Sequence, residues 1–82
     1  MNKSLPEWSE EARSIRIGSE WVHYKGKHYK VLAVARHSET LEELIVYQAL
    51  YGDRGVWVRP LKMFLETISD NGVRKARFTY QK

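Results

Sequence analysis

Five hydrogen-bonding side chains stand in succession at Arg36-His37-Ser38-Glu39-Thr40, and a second guanidinium, Arg59, follows Trp57 in the run Trp57-Val58-Arg59. A guanidinium, an imidazole and a carboxylate at a strand exit make a site for an anionic ligand, and Arg59 beside an indole completes an anion-binding corner. The same residues also suit a purely local task, with Ser38 or Thr40 closing a turn and Glu39 pairing Arg36 or Arg59. Tyr47 and Tyr51 share a parity along an extended chain and so line one opening. Tyr24, Tyr29 and Trp57 add to an aromatic stock that suits base stacking, although a small core must claim most of it.

Other chemistries find less support. The histidines His23, His28 and His37 show neither H-x-H nor H-E-x-x-H spacing, so a metal site with Glu39 is not expected. Adjacent His37 and Ser38 point to opposite faces of an extended chain, which defeats a nucleophile-base pair. His37 and Glu39 share a face, but nothing marks a substrate pocket beside them. No P-loop or dinucleotide glycine pattern is present. No catalytic residue, metal or cofactor is therefore assigned, and a small hydrolase is held only in reserve.

The elements that position these residues must come from 82 residues, enough for one domain around one core. With no cysteine, disulfide frameworks and thiolate metal sites are excluded, and a cytoplasmic location is expected. The start lacks the apolar run of a signal peptide, no stretch is apolar for long enough to cross a bilayer, and no membrane partner is expected. Fourteen Lys and Arg against ten Asp and Glu give a net charge of +4. The signs are segregated: Trp21 to His37 carries Lys25, Lys27, Lys30 and Arg36 without an acid, whereas Ser38 to Asp53 carries Glu39, Glu42, Glu43 and Asp53 without a base.

Residues 1–17 read as an N-terminal appendage with one or two helical turns, for which Ser4 supplies a cap and Pro6 suits the first turn. Residues 18–82 read as the domain proper. Trp21 to Lys25 and His28 to Arg36 predict a hairpin turning at Gly26-Lys27, which places Tyr24 opposite Tyr29 and Val22 opposite Val31. Those residues with Ala33 and Ala35 form a core face, while His23, Lys25, His28, Lys30 and Arg36 alternate onto a basic face. Leu44 to Tyr51 is apolar at both parities, as for a central strand. A turn at Gly52-Asp53-Arg54-Gly55 leads to a short strand, Val56 to Arg59, which Pro60 ends. Pro60 to Phe64 fits a single tight turn, followed by a strand at Leu65 to Ser69, a turn at Asp70-Asn71-Gly72 and a last strand at Ala76 to Tyr80. Five or six short strands with one helical turn predict an all-β fold, a small and strongly bent barrel of SH3-like type.

The strings HYKG (His23 to Gly26), ARHSET (Ala35 to Thr40), VYQALYG (Val46 to Gly52) and WVRPLKMF (Trp57 to Phe64) resemble, in order and spacing, a small bacterial family of about seventy residues catalogued as a domain of unknown function. The resemblance runs from Gly18 to about Phe78. It departs at Leu41, where the family tends to carry a small or polar turn residue. It implies a stand-alone module with a shared surface, onto which Arg36, His37, Ser38, Glu39, Thr40, Tyr47, Tyr51, Trp57 and Arg59 map, and it brings no established activity.

These observations predict a non-catalytic binding module whose site comprises those nine residues and takes an anionic small molecule or nucleotide-like group. The alternative is an RNA or protein interaction module using the basic hairpin face, Lys25, Lys27, Lys30 and Arg36. The sequence fixes no oligomeric state.

Overall fold

The computed structural model describes residues 5–82. Its first hairpin joins β1 (Glu20–His23) to β2 (His28–Arg36). The Gly26 N–H donates to the His23 carbonyl at 2.7 Å and the His23 N–H to the Lys27 carbonyl at 2.8 Å, so the loop is Tyr24-Lys25-Gly26. Gly26 closes it at φ +99, a left-handed conformation open to glycine at little cost. This loop is one residue longer than the turn expected at Gly26-Lys27 and lies earlier in the chain, so the register moves by three residues, an odd number that exchanges the faces of the strand. Trp21 therefore pairs with Tyr29 and Val22 with His28, in place of the expected Tyr24–Tyr29 and Val22–Val31 pairs. Val31 is buried and His28 and Lys30 are exposed, as the alternation of β2 requires, and Lys25 is exposed in the loop.

β2 pairs along its length with β3 (Glu43–Ala49), with a register shift between Val31 and Ala33. Such a bulge inserts one residue and reverses the parity beyond it. Before it Val31 faces Tyr47; after it Val34 faces Ile45 and Arg36 faces Glu43. Arg36 is thereby moved off the expected basic face to the side of the sheet that carries the core, and Ala33 and Ala35 are moved away from it.

Along β3, Ile45, Tyr47 and Ala49 are buried, and their neighbours on the other face are half-buried. β4 (Val56–Pro60) pairs with β3 and runs into α2 (Leu61–Leu65), the expected tight turn, which buries Leu61 and Phe64. β5 (Thr67–Asp70) and β6 (Val73–Ala76) form a hairpin through Asn71-Gly72, both at positive φ as a two-residue hairpin turn demands. The expected last strand is divided at Arg77, after which β7 (Phe78–Gln81) pairs with β1.

The chain is thus mostly β, in a five-stranded sheet of order β4-β3-β2-β1-β7 and a separate β5-β6 ribbon. β4 and β7 each pair on one side, so the ladder does not close on itself. Phe64, Ile45 and Val31 are fully buried, and Phe64 stacks on Phe78 with ring centroids 4.2 Å apart. Full burial of a side chain of this size contributes about 1.5–3 kcal/mol.

Ahead of β1 lies α1 (Glu10–Ser14), capped by Ser9, whose hydroxyl accepts from the Ala12 N–H at 3.0 Å. The cap expected from Ser4 lies outside the described residues. Ala12 and Ile15 enter the core and Trp8 packs against it.

Candidate functional site

On the core side of the sheet, toward the end that carries the β1–β2 and β3–β4 loops, aromatic hydroxyls and cations converge. Tyr29 from β2 meets Tyr47 from β3 and Tyr51 from the following loop, all edge to face, with centroids 5.4 and 5.5 Å from the Tyr29 ring. The Tyr29 and Tyr51 hydroxyls share a 2.5 Å hydrogen bond, and the Lys27 ammonium lies over the Tyr51 ring, 4.9 Å from its centroid. Arg59 in β4 donates its Nε–H to the Tyr47 hydroxyl at 3.2 Å. Among the described residues Arg59 makes no ion pair with a carboxylate.

The electrostatics follow from this geometry. Burial, then the hydrogen bond shared with Tyr51, push the Tyr29 phenol up to about 12, so its hydroxyl stays neutral at physiological pH. His23, in β1, is held below its ordinary value by burial first and then by the positive charges of Arg59, Arg77 and Lys25. A side chain pressed toward neutrality by three cations reports a positive local field. Trp57 forms the rim: it is 58% exposed, and a Cβ on Gly55 would lie 3.4 Å from its Nε1. The indole is therefore laid over the Gly55 backbone, with room that this glycine supplies. Clustered phenol hydroxyls, a guanidinium without a counter-charge and an exposed indole suit the binding of an anion, particularly one attached to a planar group.

The other half of the expected site is occupied by the protein itself. The Arg36 guanidinium stacks on Trp8, 4.0 Å from the ring centroid, and donates through Nη2 to the Pro6 carbonyl. Its register partner Glu43 accepts from the Ser9 N–H at 2.8 Å and the Ser9 hydroxyl at 2.7 Å. The backbone bond from Ser9, its side-chain bond and the charge of Arg36 hold the Glu43 carboxyl below the usual carboxylate range. The loop beyond is fixed from within: His37 Nδ1 accepts from the N–H groups of Glu39 at 3.1 Å and Thr40 at 3.3 Å, and the Thr40 hydroxyl accepts from Glu42 N–H at 3.2 Å. Leu41 sits at φ +64, where a small or polar residue costs less. Ser38 and Glu39 are exposed.

The nine expected site residues therefore fall into two groups. Tyr47, Tyr51, Trp57 and Arg59 gather at the phenol cluster, while Arg36, His37, Ser38, Glu39 and Thr40 lie at the opposite end of β2. Arg36 faces Glu43 and Arg59 faces Ile45 on the far side of β3, and among the described residues no hydrogen bond or ion pair joins Arg59 to the Arg36–Thr40 loop. The basic set divides too: Lys25 and Lys27 lie in the β1–β2 loop, Lys30 pairs with Glu20 in register on the outer face, and Arg36 is held against Trp8. Tyr29, His23 and Lys27 belong with the cluster and stand outside the nine, Lys27 having a place only in the basic set; the available signal is that His23 opens HYKG and Tyr29 lies in the strand that follows it. Two cavities, of about 320 and 270 Å³, lie against the N-terminal segment and not at the phenols, one lined by Ser9, Glu43, Leu61 and Leu65 and the other by Trp8, Ile15 and Val34. Among the described residues no three His, Asp or Glu side chains converge as metal ligands do, and no helix is long and apolar enough to cross a membrane.

The model of a family described as a protein of unknown function, DUF1653, matches residues 19–80. The chain belongs to the DUF1653 family. A crystal structure of a DUF1653 protein from Bordetella bronchiseptica is similar to it at 36% sequence identity and a TM-score of 0.74, over 85% of this chain and 91% of that one. Comparison with curated proteins finds no match. The DUF1653 match runs from the residue before β1 to Tyr80 within β7, and so includes both the phenol cluster and the Arg36–Thr40 loop.

Proposed function

We propose that this DUF1653 protein is a cytoplasmic, non-catalytic binding module that takes the anionic group of a small molecule, of nucleotide type, at the Arg59 guanidinium. One observation carries the reading: Arg59 is oriented through its Nε by the Tyr47 hydroxyl and has no carboxylate partner among the described residues, which leaves its remaining N–H donors available. The Tyr29–Tyr51 hydroxyl pair supplies further donors and acceptors, and Trp57 presents a flat apolar surface for a base. The arrangement lacks a nucleophile beside a base, which favours binding over catalysis. Arg36 contributes to this reading as the residue that anchors the N-terminal segment.

A second reading, contact with single-stranded RNA, draws on Lys27 over Tyr51 and Lys25 over Tyr24, because a polyanion crossing that loop meets both ammonium groups. A thermal-shift series separates the two. AMP and inorganic pyrophosphate raise the melting temperature of the wild type and not of Arg59→Ala if the small-anion reading holds. A response to a short oligouridylate alone, abolished by Lys25→Ala with Lys27→Ala, supports RNA and rejects the small anion. Absence of any shift rejects both.

A further inference from the structure

β4 is an edge strand whose first three residues carry no protecting charge or proline, Arg59 and Pro60 standing only at its end. Val56, Trp57 and Val58 are 56%, 58% and 59% exposed, and no charged side chain interrupts them. Natural edges are commonly guarded by a lysine, an inward charge or a covering element. The bond from Ala49 N–H to the Gly55 carbonyl, 2.9 Å, makes that residue pair a bonded one. By the alternation of antiparallel ladders, Tyr47–Trp57 and Ile45–Arg59 are bonded pairs as well, so Val56 and Val58 turn their N–H and C=O groups away from β3.

We infer that this edge pairs with the same edge of a second copy, antiparallel about a two-fold axis at Trp57. The strand is self-complementary in that register. Val56 falls opposite the partner's Val58 and Val58 opposite the partner's Val56, which satisfies all four outward backbone groups at once. Pro60, which has no N–H, falls opposite the partner's Arg54, and Arg54 already donates its own N–H to the Tyr51 carbonyl at 3.0 Å, so pairing ends there without an orphaned donor. The charges also fit: Arg59 lies opposite the partner's Gly55, and no two like charges are directly opposed. The indole that rests over each Gly55 is thereby brought beside the other copy's Arg59, so each copy extends the rim of the other's phenol cluster. Three side chains on a short strand make a small contact, well below that of a permanent dimer, so the pairing is weak and concentration-dependent.

Sedimentation velocity across a range from low to high micromolar protein tests the inference without any ligand. The wild type shifts from monomer to dimer as concentration rises, and Val58→Glu stays monomeric with an unchanged far-ultraviolet circular dichroism spectrum. If Val58→Glu loses that spectrum, Val56→Lys carries the same expectation from the other outward position. A wild type that remains monomeric throughout, as a chain whose edge instead receives a peptide of another protein does, overturns the inference. So does a dimer that persists unchanged in a folded edge variant.

Discussion

Arg59 reaches from β4 to the hydroxyl of Tyr47 on β3, and the 3.2 Å bond uses Nε, the guanidinium nitrogen nearest the chain. A guanidinium held by that atom keeps its forked end free, and the forked end is the part that matches a carboxylate or phosphate. The binding role proposed for the cluster follows from that division of labour within one side chain.

The field around His23 gives a pH dependence. Burial first, and then the charges of Arg59, Arg77 and Lys25, depress its protonation, and an anion bound at Arg59 offsets the charge part. His23 therefore takes up a proton more readily in the complex than in the free protein, and by linkage the anion binds more tightly as pH falls below the ordinary histidine value of 6.5. A proton-detected titration of the His23 ring with and without AMP checks this, with a higher midpoint expected in the complex.

Glu43 works in the other direction. Its folded-state pKa is depressed, so its contribution is present above the usual carboxylate value of 4.5 and is lost as pH falls through the lower folded value. Below that value the clasp on Ser9 weakens and the segment bearing Trp8 loosens. Replacement of Glu43 by Gln removes this acid transition while keeping the shape of the side chain. The tryptophan emission of the wild type then shifts red on acidification at a higher protein stability than that of Glu43→Gln, and the variant shows no such step in that range.

Much of the strand order was legible. The apolar run at both parities from Leu44 to Tyr51 marked a central strand, Asn71-Gly72 marked a hairpin, and Pro60 marked the end of β4. The face assignments were less accessible, for two physical reasons. A bulge inside Val31-Leu32-Ala33 leaves no trace in an all-apolar run, because either parity buries an aliphatic side chain. A glycine in a hairpin loop likewise does not declare whether two or three residues turn, yet that choice decides whether Val22 or Trp21 faces the core. The splitting of the nine-residue site has the same origin. Once the bulge carries Arg36 to the core side, it faces Glu43 across the ladder and meets Pro6 and Trp8, about thirty residues away in sequence, contacts that no local pattern encodes.

Leu41 carries a left-handed conformation on a branched aliphatic side chain that is 39% exposed. Leu41→Gly relieves a backbone cost of about 1 kcal/mol, and raises the melting temperature slightly. The Leu41 side chain makes little of the core, so calorimetric unfolding of the variant is otherwise unchanged.

Phe64 is the centre of the aromatic stack, fully buried between Phe78, Tyr47 and Trp21. Phe64→Ala empties that position and costs about 3–5 kcal/mol, a large share of the stability of a domain this small. Denaturant unfolding gives the value directly, and a loss below about 1 kcal/mol contradicts the packing described.

The central claim is that the free end of Arg59, set by Tyr47, is what holds an anion, and isothermal titration of AMP into wild type, Arg59→Ala and Tyr47→Phe tests it most directly. The wild type binds, Arg59→Ala does not, and Tyr47→Phe binds about tenfold more weakly, as loss of one orienting hydrogen bond of roughly 1–1.5 kcal/mol requires. Equal affinity in the wild type and a folded Arg59→Ala, or no heat of binding in the wild type at millimolar AMP, contradicts it.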